Sequence, residues 1–385
     1  MAVANVLEKE SDDIFIAQAL DDMVLRRNQV NDRGHQLNIK VINLSLGLDE
    51  ISSSLRQKIN TAAENGILVV TSAGNSGFED DPEAQTIKDP GRSALALTVG
   101  ACNDRNQLTQ YSSLGFEAPS RSGEPDAEDY KPDVIAPGGS EFHTEIMCVD
   151  SGDADGFLSA DKQWRDYRSI SGTSASSPFV AGCAALVIDA LQQRRLSEGV
   201  SASAIWDYDS NQDVRFVKMV LCATATETGL VREDANDLFA PPLQRAAPGP
   251  LGFPAGKDPY EGYGVVNADA AVEAVYLDYL WGQEVSDSFG ESPEDRRAWA
   301  RTIPIASRGP YEFRLTNPET GDFDLYVYSS DPSPSGTPLL LAYSTEEGLG
   351  VHETIDMTFG ESTTALLIIK RVSGSGMFSF IGNGI

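Results

Sequence analysis

Apolar runs and amphipathic stretches alternate along the first 281 residues of the chain. Four short segments are almost wholly apolar, as expected for strands buried on both faces of a parallel sheet: 40–46 (KVINLSL), 67–73 (ILVVTSA), 95–101 (LALTVGA) and 132–137 (PDVIAP). Between the first two, Leu55, Ile59 and Ala62 recur at helical spacing, and Gly66 follows as a stop signal. The pattern predicts an α/β fold, a mainly parallel sheet with helices on both faces.

Three further helices are predicted around this sheet. The first opens near Ser11 and closes near Arg27, with acidic residues at its start and basic residues at its end. The others cover about 174–192 and 214–225. The polar stretch from Ser140 to about Tyr167 and the proline-rich stretch 237–259 lack helical or strand periodicity, so both are interpreted as loops.

The pattern changes after Trp281. Short strand-like segments separated by Pro, Gly, Ser and Asp follow one another, among them YEFRLTN, DFDLYVYSS, TALLIIKRV and GMFSFIG. Such spacing is typical of an all-β sandwich. We therefore predict two domains, an α/β domain over 1–281 and a β-sandwich over 282–385, with 281–301 as the linker and first strand.

Composition narrows the choice of partners. The chain of 385 residues carries 29 Lys and Arg against 58 Asp and Glu, a formal net charge of −29. Such a surface repels nucleic acid and anionic membranes, so neither is expected as a partner. No apolar run approaches the roughly 20 residues of a membrane span, and the first residues lack the features of a signal peptide. The four cysteines show neither metal-site spacing nor a dense disulfide framework.

The candidate chemistry centres on residues 171–182, SGTSASSPFVAG. Ser174 follows a Gly-Thr turn at the start of a predicted helix, where unpaired backbone N–H groups favour developing negative charge. Ser174 could therefore act as a nucleophile, although an isolated Gly-Thr-Ser is more often a helix cap. Asn75 lies in a glycine-bracketed turn after a strand, where its amide could donate to an oxyanion or serve only the turn.

The end of the first strand offers a second candidate site. Ser45, Leu46 and Gly47 follow the apolar run, and the glycine leaves room for an extended peptide to pair with the exposed backbone. An ordinary strand end is the alternative interpretation.

Six segments in order resemble the subtilisin-like serine proteases across roughly residues 1–280: VINLSLG, VVTSAGNSG, VGACNDRNQLTQYSSLG, KPDVIAPGG, SGTSASSPFVAG and EGYGVVNADAAV. The resemblance implies that Ser174 is the nucleophile of a serine endopeptidase and that Asn75 is the oxyanion donor. It also implies two edges that hold the substrate backbone, formed by Ser45, Leu46 and Gly47 and by Ser72, Ala73 and Gly74. Ala175 and Phe179 replace the usual Met and His, which are changes in packing.

The resemblance also places residues 86–92 at the floor of the main specificity pocket. Lys88 would lie near this floor, where an ammonium group favours an acidic substrate side chain. The alternative is that Lys88 extends to solvent.

The family's aspartate and histidine motifs should both precede VINLSLG, and neither is present. The first residues, MAVANVL, look like the strand that follows the histidine helix in relatives. His35 belongs to the wrong end of the sheet, His143 to a loop and His352 to the β-sandwich, so each is interpreted as a surface histidine. Three explanations stay open: an N-terminal fragment or partner chain supplies Asp and His, the chain is a catalytically dead module that binds peptides or partners, or the sequence is a truncated record.

The resemblance requires no cofactor and no catalytic metal, although relatives often bind structural calcium. Two acidic loops alternate like calcium loops but lack a needed glycine or acid: Asp207, Asp209, Asn211 and Asp213, and Asp153 and Asp155 with Lys162. Solvated loops are the alternative. The last strands loosely resemble the β-sandwich appended to secreted peptidases, the pre-peptidase C-terminal type, which favours an extracellular enzyme.

Overall fold

A computed structural model describes most of the chain. The described residues are 13–48, 52–77, 86–115, 131–140, 142–149, 167–228, 232–233, 257–292, 294–306 and 309–384.

The four predicted buried segments form one parallel sheet in the order β1–β2–β3–β4. Its strands are β1 (Val41–Leu44), β2 (Leu68–Ser72), β3 (Leu97–Cys102) and β4 (Val134–Pro137). Side chains of β2 alternate between the two faces, so that Leu68 and Val70 enter one apolar core and Val69 enters the other. Burial on both faces explains why these strands are continuous apolar runs.

Helices cover both faces, and the predicted α/β class is confirmed. They are α1 (Asp13–Arg26), α2 (Ser53–Glu64), α3 (Thr173–Ser197), α4 (Gln212–Ala223) and α5 (Ala268–Tyr276). One core joins α1 and α2 to the sheet, and the other joins α3, α4 and α5 to it. Ser52 caps α2 by accepting from Leu55 N, and Gly66, with a φ of 70°, follows its end.

The helix that begins beside Ser174 is the longest helix of the described chain. By length and composition α3 could cross a membrane, but half of its apolar window is buried within this fold. A helix that is apolar on all sides is normally buried by neighbouring elements on all sides. Its inner side meets the sheet, whereas Pro178, Phe179, Gly182, Ala185 and Leu186 are exposed on one side.

The polar stretch interpreted as a loop contains a strand. β5 (Ile146–Val149) pairs antiparallel with β6 (Tyr167–Ile170), and β6 runs directly into the turn before Ser174. The loop interpretation of 140–167 was therefore wrong for Ile146–Val149, because pairing with a distant strand stabilises a four-residue run that shows no period of its own. The other predicted loop, 237–259, lies almost wholly outside the described residues.

The C-terminal region is all-β, as predicted. One antiparallel sheet has the order β11–β10–β13–β8 and the other has the order β12–β9–β14–β7. The strands are β7 (Val285–Phe289), β8 (Ala298–Ile305), β9 (Pro310–Thr316), β10 (Gly321–Ser329), β11 (Leu340–Ser344), β12 (Glu353–Thr358), β13 (Thr363–Gly374) and β14 (Gly376–Gly384). An aromatic-rich core of residues from both sheets, including Trp299, Phe323 and Phe380, lies between them.

The first of these sheets also packs against the α/β part. Leu325 and Val327 of β10 face the sandwich core, whereas Tyr326 and Tyr328 enter the core that contains α4 and α5. One apolar core therefore runs across the boundary predicted near Trp281. The boundary itself stays a prediction.

Candidate active site

Ser174 is exposed at the first turn of α3. Its hydroxyl donates to the carbonyl oxygen of Ser45 at 3.3 Å, and the hydroxyl of Ser45 donates to the carbonyl oxygen of Ser174 at 2.9 Å. The predicted nucleophile and the end of β1 are therefore in direct contact. Gly172 is the N-cap residue and supplies no side-chain cap. Of the first three N–H groups of α3, Thr173 N donates to Asn75 and Ala175 N donates to the Gly172 carbonyl oxygen, so Ser174 N is the one offered to a ligand.

Asn75 lies across the turn from Ser174. Its Oδ1 accepts from Thr173 N at 2.9 Å and from Thr173 Oγ1 at 3.0 Å. Thr173 Oγ1 in turn accepts from Gly74 N at 3.1 Å. Because Oδ1 is held by two donors, the orientation of the amide is fixed and Nδ2 is directed away from them. Thr173 orients this side chain, a role that sequence reasoning missed, although its place inside Gly-Thr-Ser was a local signal.

The two predicted substrate-binding edges lie side by side. Ser45, Leu46 and Gly47 follow β1. Ser72 ends β2, the neighbouring parallel strand, and Ala73 and Gly74 come directly after it. The Ser72 hydroxyl donates to the Leu46 carbonyl oxygen at 3.4 Å. A Cβ added to Gly47 would meet no heavy atom within 4 Å, so the backbone there is open to an approaching chain.

The segment that contains Lys88 is anchored to the fold by its neighbour. Asp89 is buried and pairs with Arg56 at 2.7 Å, and it also accepts from Ser52 N at 2.7 Å. Lys88 itself is half-buried. A role for Lys88 in substrate selection stays a prediction.

No described contact brings a histidine to Ser174. His35 lies before β1, at the end of the strand opposite Ser45. His143 donates its backbone N–H to Ser140 at 3.3 Å, and His352 Nδ1 accepts from Asn317 N in the sandwich at 3.1 Å. Within the described ranges, Ser174 and Asn75 are thus brought together without a histidine beside the hydroxyl.

Part of the acidic loop that resembled a calcium site is already paired. Asp213 binds Arg195 at 2.6 Å, and Asp207 accepts from Ser210 at 2.5 Å. Among described residues no group of three or more His, Cys, Asp or Glu could hold a metal ion. Asp153, Asp155 and Lys162 lie outside the described residues, so structural calcium stays a prediction there.

An apolar face adjoins the serine. It consists of the exposed side of α3 defined above and a cavity of about 850 Å³ between α1, β1 and α3. Leu20, Val41 and Ile188 are among the residues that line the cavity. β1 is an edge strand of the described parallel sheet. We call this surface the α3–β1 face.

An exposed serine at a helix start, beside an amide donor and at the carboxyl ends of parallel strands, is the arrangement of an α/β serine hydrolase. The subtilase family model matches residues 1–244, which is more than half of the 385 residues. The chain therefore belongs to the subtilase family.

Individual relatives agree with this assignment. The chain is 33% identical over 147 residues to Subtilisin BL of Lederbergia lenta, a match that covers 38% of this chain and 41% of that protein. It is 32% identical over 172 residues to the serine protease AprX of Bacillus subtilis, covering 42% and 36% of the two chains. The chain thus spans less than half the length of these curated relatives.

Among solved structures, a protease of Pseudoalteromonas arctica is similar, with a TM-score of 0.43 and 20% identity over 68% of this chain and 59% of that one. The prenylagaramide maturation protease PagA gives a TM-score of 0.42 and 18% identity over 71% of this chain and 70% of that one.

Proposed function

We propose that this chain carries the nucleophile of a serine endopeptidase that hydrolyses peptide bonds through an acyl-enzyme on Ser174. The observation that carries the proposal is the exposed Ser174 hydroxyl beside an Asn75 amide whose orientation is fixed. Attack of Oγ on a peptide carbonyl would place the oxyanion near Asn75 Nδ2 and the first-turn N–H of Ser174. Collapse of this intermediate would break the C–N bond and release the amine, which takes the proton removed from Ser174, and water would then hydrolyse the acyl-enzyme to a carboxylic acid and restore the serine.

The proton of Ser174 needs a base. We propose that a segment or chain outside this sequence supplies the histidine and its aspartate, and that it docks on the α3–β1 face. This face begins one turn from Ser174, is mainly apolar with Lys40 and Asp189 among its polar residues, and ends at a strand edge that can accept another strand. Gly182 and Ala185 leave room for close helix approach.

The predicted consequence is a chain that is almost inert alone. In subtilisin itself, a member of this family, loss of the serine or histidine lowers turnover about a million-fold, so this magnitude is known for the family and is not specific to this chain. A fluorophosphonate probe should label Ser174 only after the chain is mixed with an N-terminal subtilase fragment that carries Asp and His. Ser174→Ala should abolish labelling in the mixture.

The docking site can be tested separately. Leu186→Glu should weaken binding of the fragment, measured by calorimetry, because it places a charge on the α3–β1 face. Leu196→Glu is the matched control, since Leu196 is an exposed leucine near the other end of the same helix. Equal binding by both variants would contradict this docking site. If the fragment binds but no condition labels Ser174, the alternative is supported, a catalytically dead module that binds peptides or partners.

The substrate proposal is a protein or peptide chain held by Ser45–Gly47 and Ser72–Gly74. Lys88 would favour acidic side chains, so Lys88→Ala in the reconstituted enzyme should selectively lower hydrolysis after Asp or Glu. An unchanged preference would remove Lys88 from the site. An extracellular place of action belongs to the same proposal and rests on the family resemblance alone.

A further inference from the structure

Tyr111 connects two segments beside the nucleophile. Its hydroxyl donates to the carbonyl oxygen of Gly139 at 2.6 Å and accepts from the backbone N–H of Gly172 at 3.1 Å. Gly172 N also donates to Gly138 at 2.8 Å, so this N–H is shared between two acceptors. Gly172 is the residue from which α3 starts, two positions before Ser174.

The Tyr111 hydroxyl is suited to hold both partners at once. Burial raises the pKa of Tyr111 above its ordinary value, although hydrogen bonds from Thr109 and Gly172 act in the opposite direction. The group therefore keeps its proton at neutral pH and can donate and accept together. Phenylalanine would fill the same volume but would leave the Gly139 oxygen without this donor.

The carboxylate of Glu233 binds the neighbours of both Tyr111 and Gly139. Glu233 accepts from Gln110 N at 2.9 Å, next to Tyr111, and from Ser140 Oγ at 2.6 Å, next to Gly139. It also accepts from Asn103 Nδ2 at 3.3 Å. Glu233 therefore holds the segment that contains Tyr111 next to the segment that contains Gly139, the acceptor of the Tyr111 hydroxyl.

We propose that Tyr111 and Glu233 are positioning residues that hold the turn of Ser174 in its reactive geometry. Asn75 holds Thr173 N on one side of the turn, and Tyr111 holds Gly172 N on the other. Two consecutive N–H groups are thereby fixed by separate parts of the fold. Displacements of about 1 Å at a nucleophile are enough to cost rate, so such support bears directly on reactivity.

The first test needs no peptidase activity. Tyr111→Phe should speed hydrogen exchange about three- to tenfold at the amides of Gly172 and Thr173, since one hydrogen bond of ordinary strength is lost. Exchange in α4 and the sandwich should not change. Tyr343→Phe, at a tyrosine 40% exposed in the sandwich, is the matched control. Unchanged exchange at Gly172 and Thr173, or equal acceleration everywhere, would overturn the proposal.

The second test separates positioning from binding and rests on the proposed function. In the reconstituted enzyme, Tyr111→Phe should lower the maximal rate of fluorophosphonate labelling about three- to tenfold and leave the probe's half-saturating concentration unchanged. If the parent is not labelled at all, the proposed function fails while the exchange test still decides the inference.

A double-mutant cycle tests the link between the two residues. Glu233→Gln keeps an acceptor but loses the charge, and it should speed exchange at Gly172 in the parent. It should have little further effect in a Tyr111→Phe background, because both changes act through the same hydroxyl. Additive effects would show that Glu233 does not act through Tyr111.

Discussion

Gly172 combines an unusual backbone with a close neighbour. Its φ of 146° is one that side chains rarely adopt, and an added Cβ would lie 3.2 Å from Asn75 Nδ2. A methyl group added at Gly172 would therefore strain the backbone and also press on the amide of Asn75, the proposed oxyanion donor.

Gly172→Ala should therefore lower the free energy of unfolding by about 1–3 kcal/mol. The measurement is urea denaturation followed by circular dichroism. Gly182→Ala is the control, because Gly182 lies inside α3 and its added Cβ would meet nothing within 4 Å. That change should stabilise by about 0.5–1 kcal/mol, and the same sign for both substitutions would contradict the argument.

Asp258 should make stability depend on pH. Burial raises its pKa to about 7, although backbone N–H groups of Tyr260 and Glu261 donate to its Oδ1 and oppose the shift. Since the folded-state pKa lies above the unfolded value, the folded chain binds more protons between the two. The free energy of unfolding that Asp258 contributes is fully present below the unfolded pKa, at about pH 4, and is lost as pH rises to about 7.

Asp258→Asn removes this group and also the negative charge that, after burial, raises the pKa of its neighbour Glu261, so both changes act in the same direction. Relative to the parent, the variant should gain about 1 kcal/mol per pH unit between pH 5 and 7, measured by urea denaturation at each pH. Parallel profiles for parent and variant would show that Asp258 does not titrate in this range.

Ser174 and Asn75 could be predicted from the sequence because six segments in order resemble one family, whereas the turn chemistry of each segment alone left a helix cap or an ordinary turn as the alternative. Tyr111 and Glu233 could not be found in this way. Tyr111 meets Gly172 across 61 positions and Glu233 meets Ser140 across 93, and neither contact leaves a periodic trace. The sequence thus predicts the residues that would contact a substrate more readily than the residues that position them.

Helices and strands were likewise predictable where the local pattern decides them, and not where contacts with distant residues do. The parallel strands were predictable because burial on both faces makes each an apolar run. α3 continues to Ser197 rather than Gln192, and Arg194 and Arg195 in this last turn bind Asp278 and Asp213. Those acids are distant in sequence, so the hydrophobic pattern gave no sign of the extra residues.

The ribbon of β5 and β6 should give the chain one reactive thiol. Cys148 on β5 is half-buried, whereas Cys102 and Cys222 are buried and burial raises the pKa of each to about 12. Burial also raises the pKa of Cys183 to about 11. Because the thiolate is the reacting species, the three buried cysteines should react only on unfolding.

With Ellman's reagent at pH 8, one thiol per folded chain should react rapidly, and mass spectrometry should locate it at Cys148. Cys148→Ser should remove the rapid phase, and urea should expose the remaining thiols. A rapid phase that survives Cys148→Ser would place the accessible thiol on another element.

At the scale of the whole molecule, the sandwich completes a core rather than extending a finished domain. Ala298, Ala300, Tyr326, Tyr328, Leu366 and Ile368 all join the core that contains α4 and α5. Exposing a buried apolar side chain as large as those of Leu366 and Ile368 costs about 1.5–3 kcal/mol, and a domain has only about 5–15 kcal/mol in total. If the α/β part and the sandwich were separated, several large side chains on each would be exposed, and the summed cost would exceed the free energy of unfolding.

Residues 1–281 expressed without the sandwich should therefore fail to fold cooperatively. The expected result is low solubility or a thermal transition without a sharp midpoint, and strong binding of an apolar dye. A sharp transition at the parent's midpoint would instead identify the sandwich as a separable appendage.

A point substitution tests the same interface without removing a domain. Tyr328 is 2% exposed and faces the shared core, whereas Tyr343 on the neighbouring strand β11 is 40% exposed. Tyr328→Ala should cost about 3–5 kcal/mol and lower the melting temperature of the whole chain in a single transition. Tyr343→Ala should cost far less. If Tyr328→Ala splits melting into two transitions, the α/β part and the sandwich unfold independently, and the core they share contributes little to either.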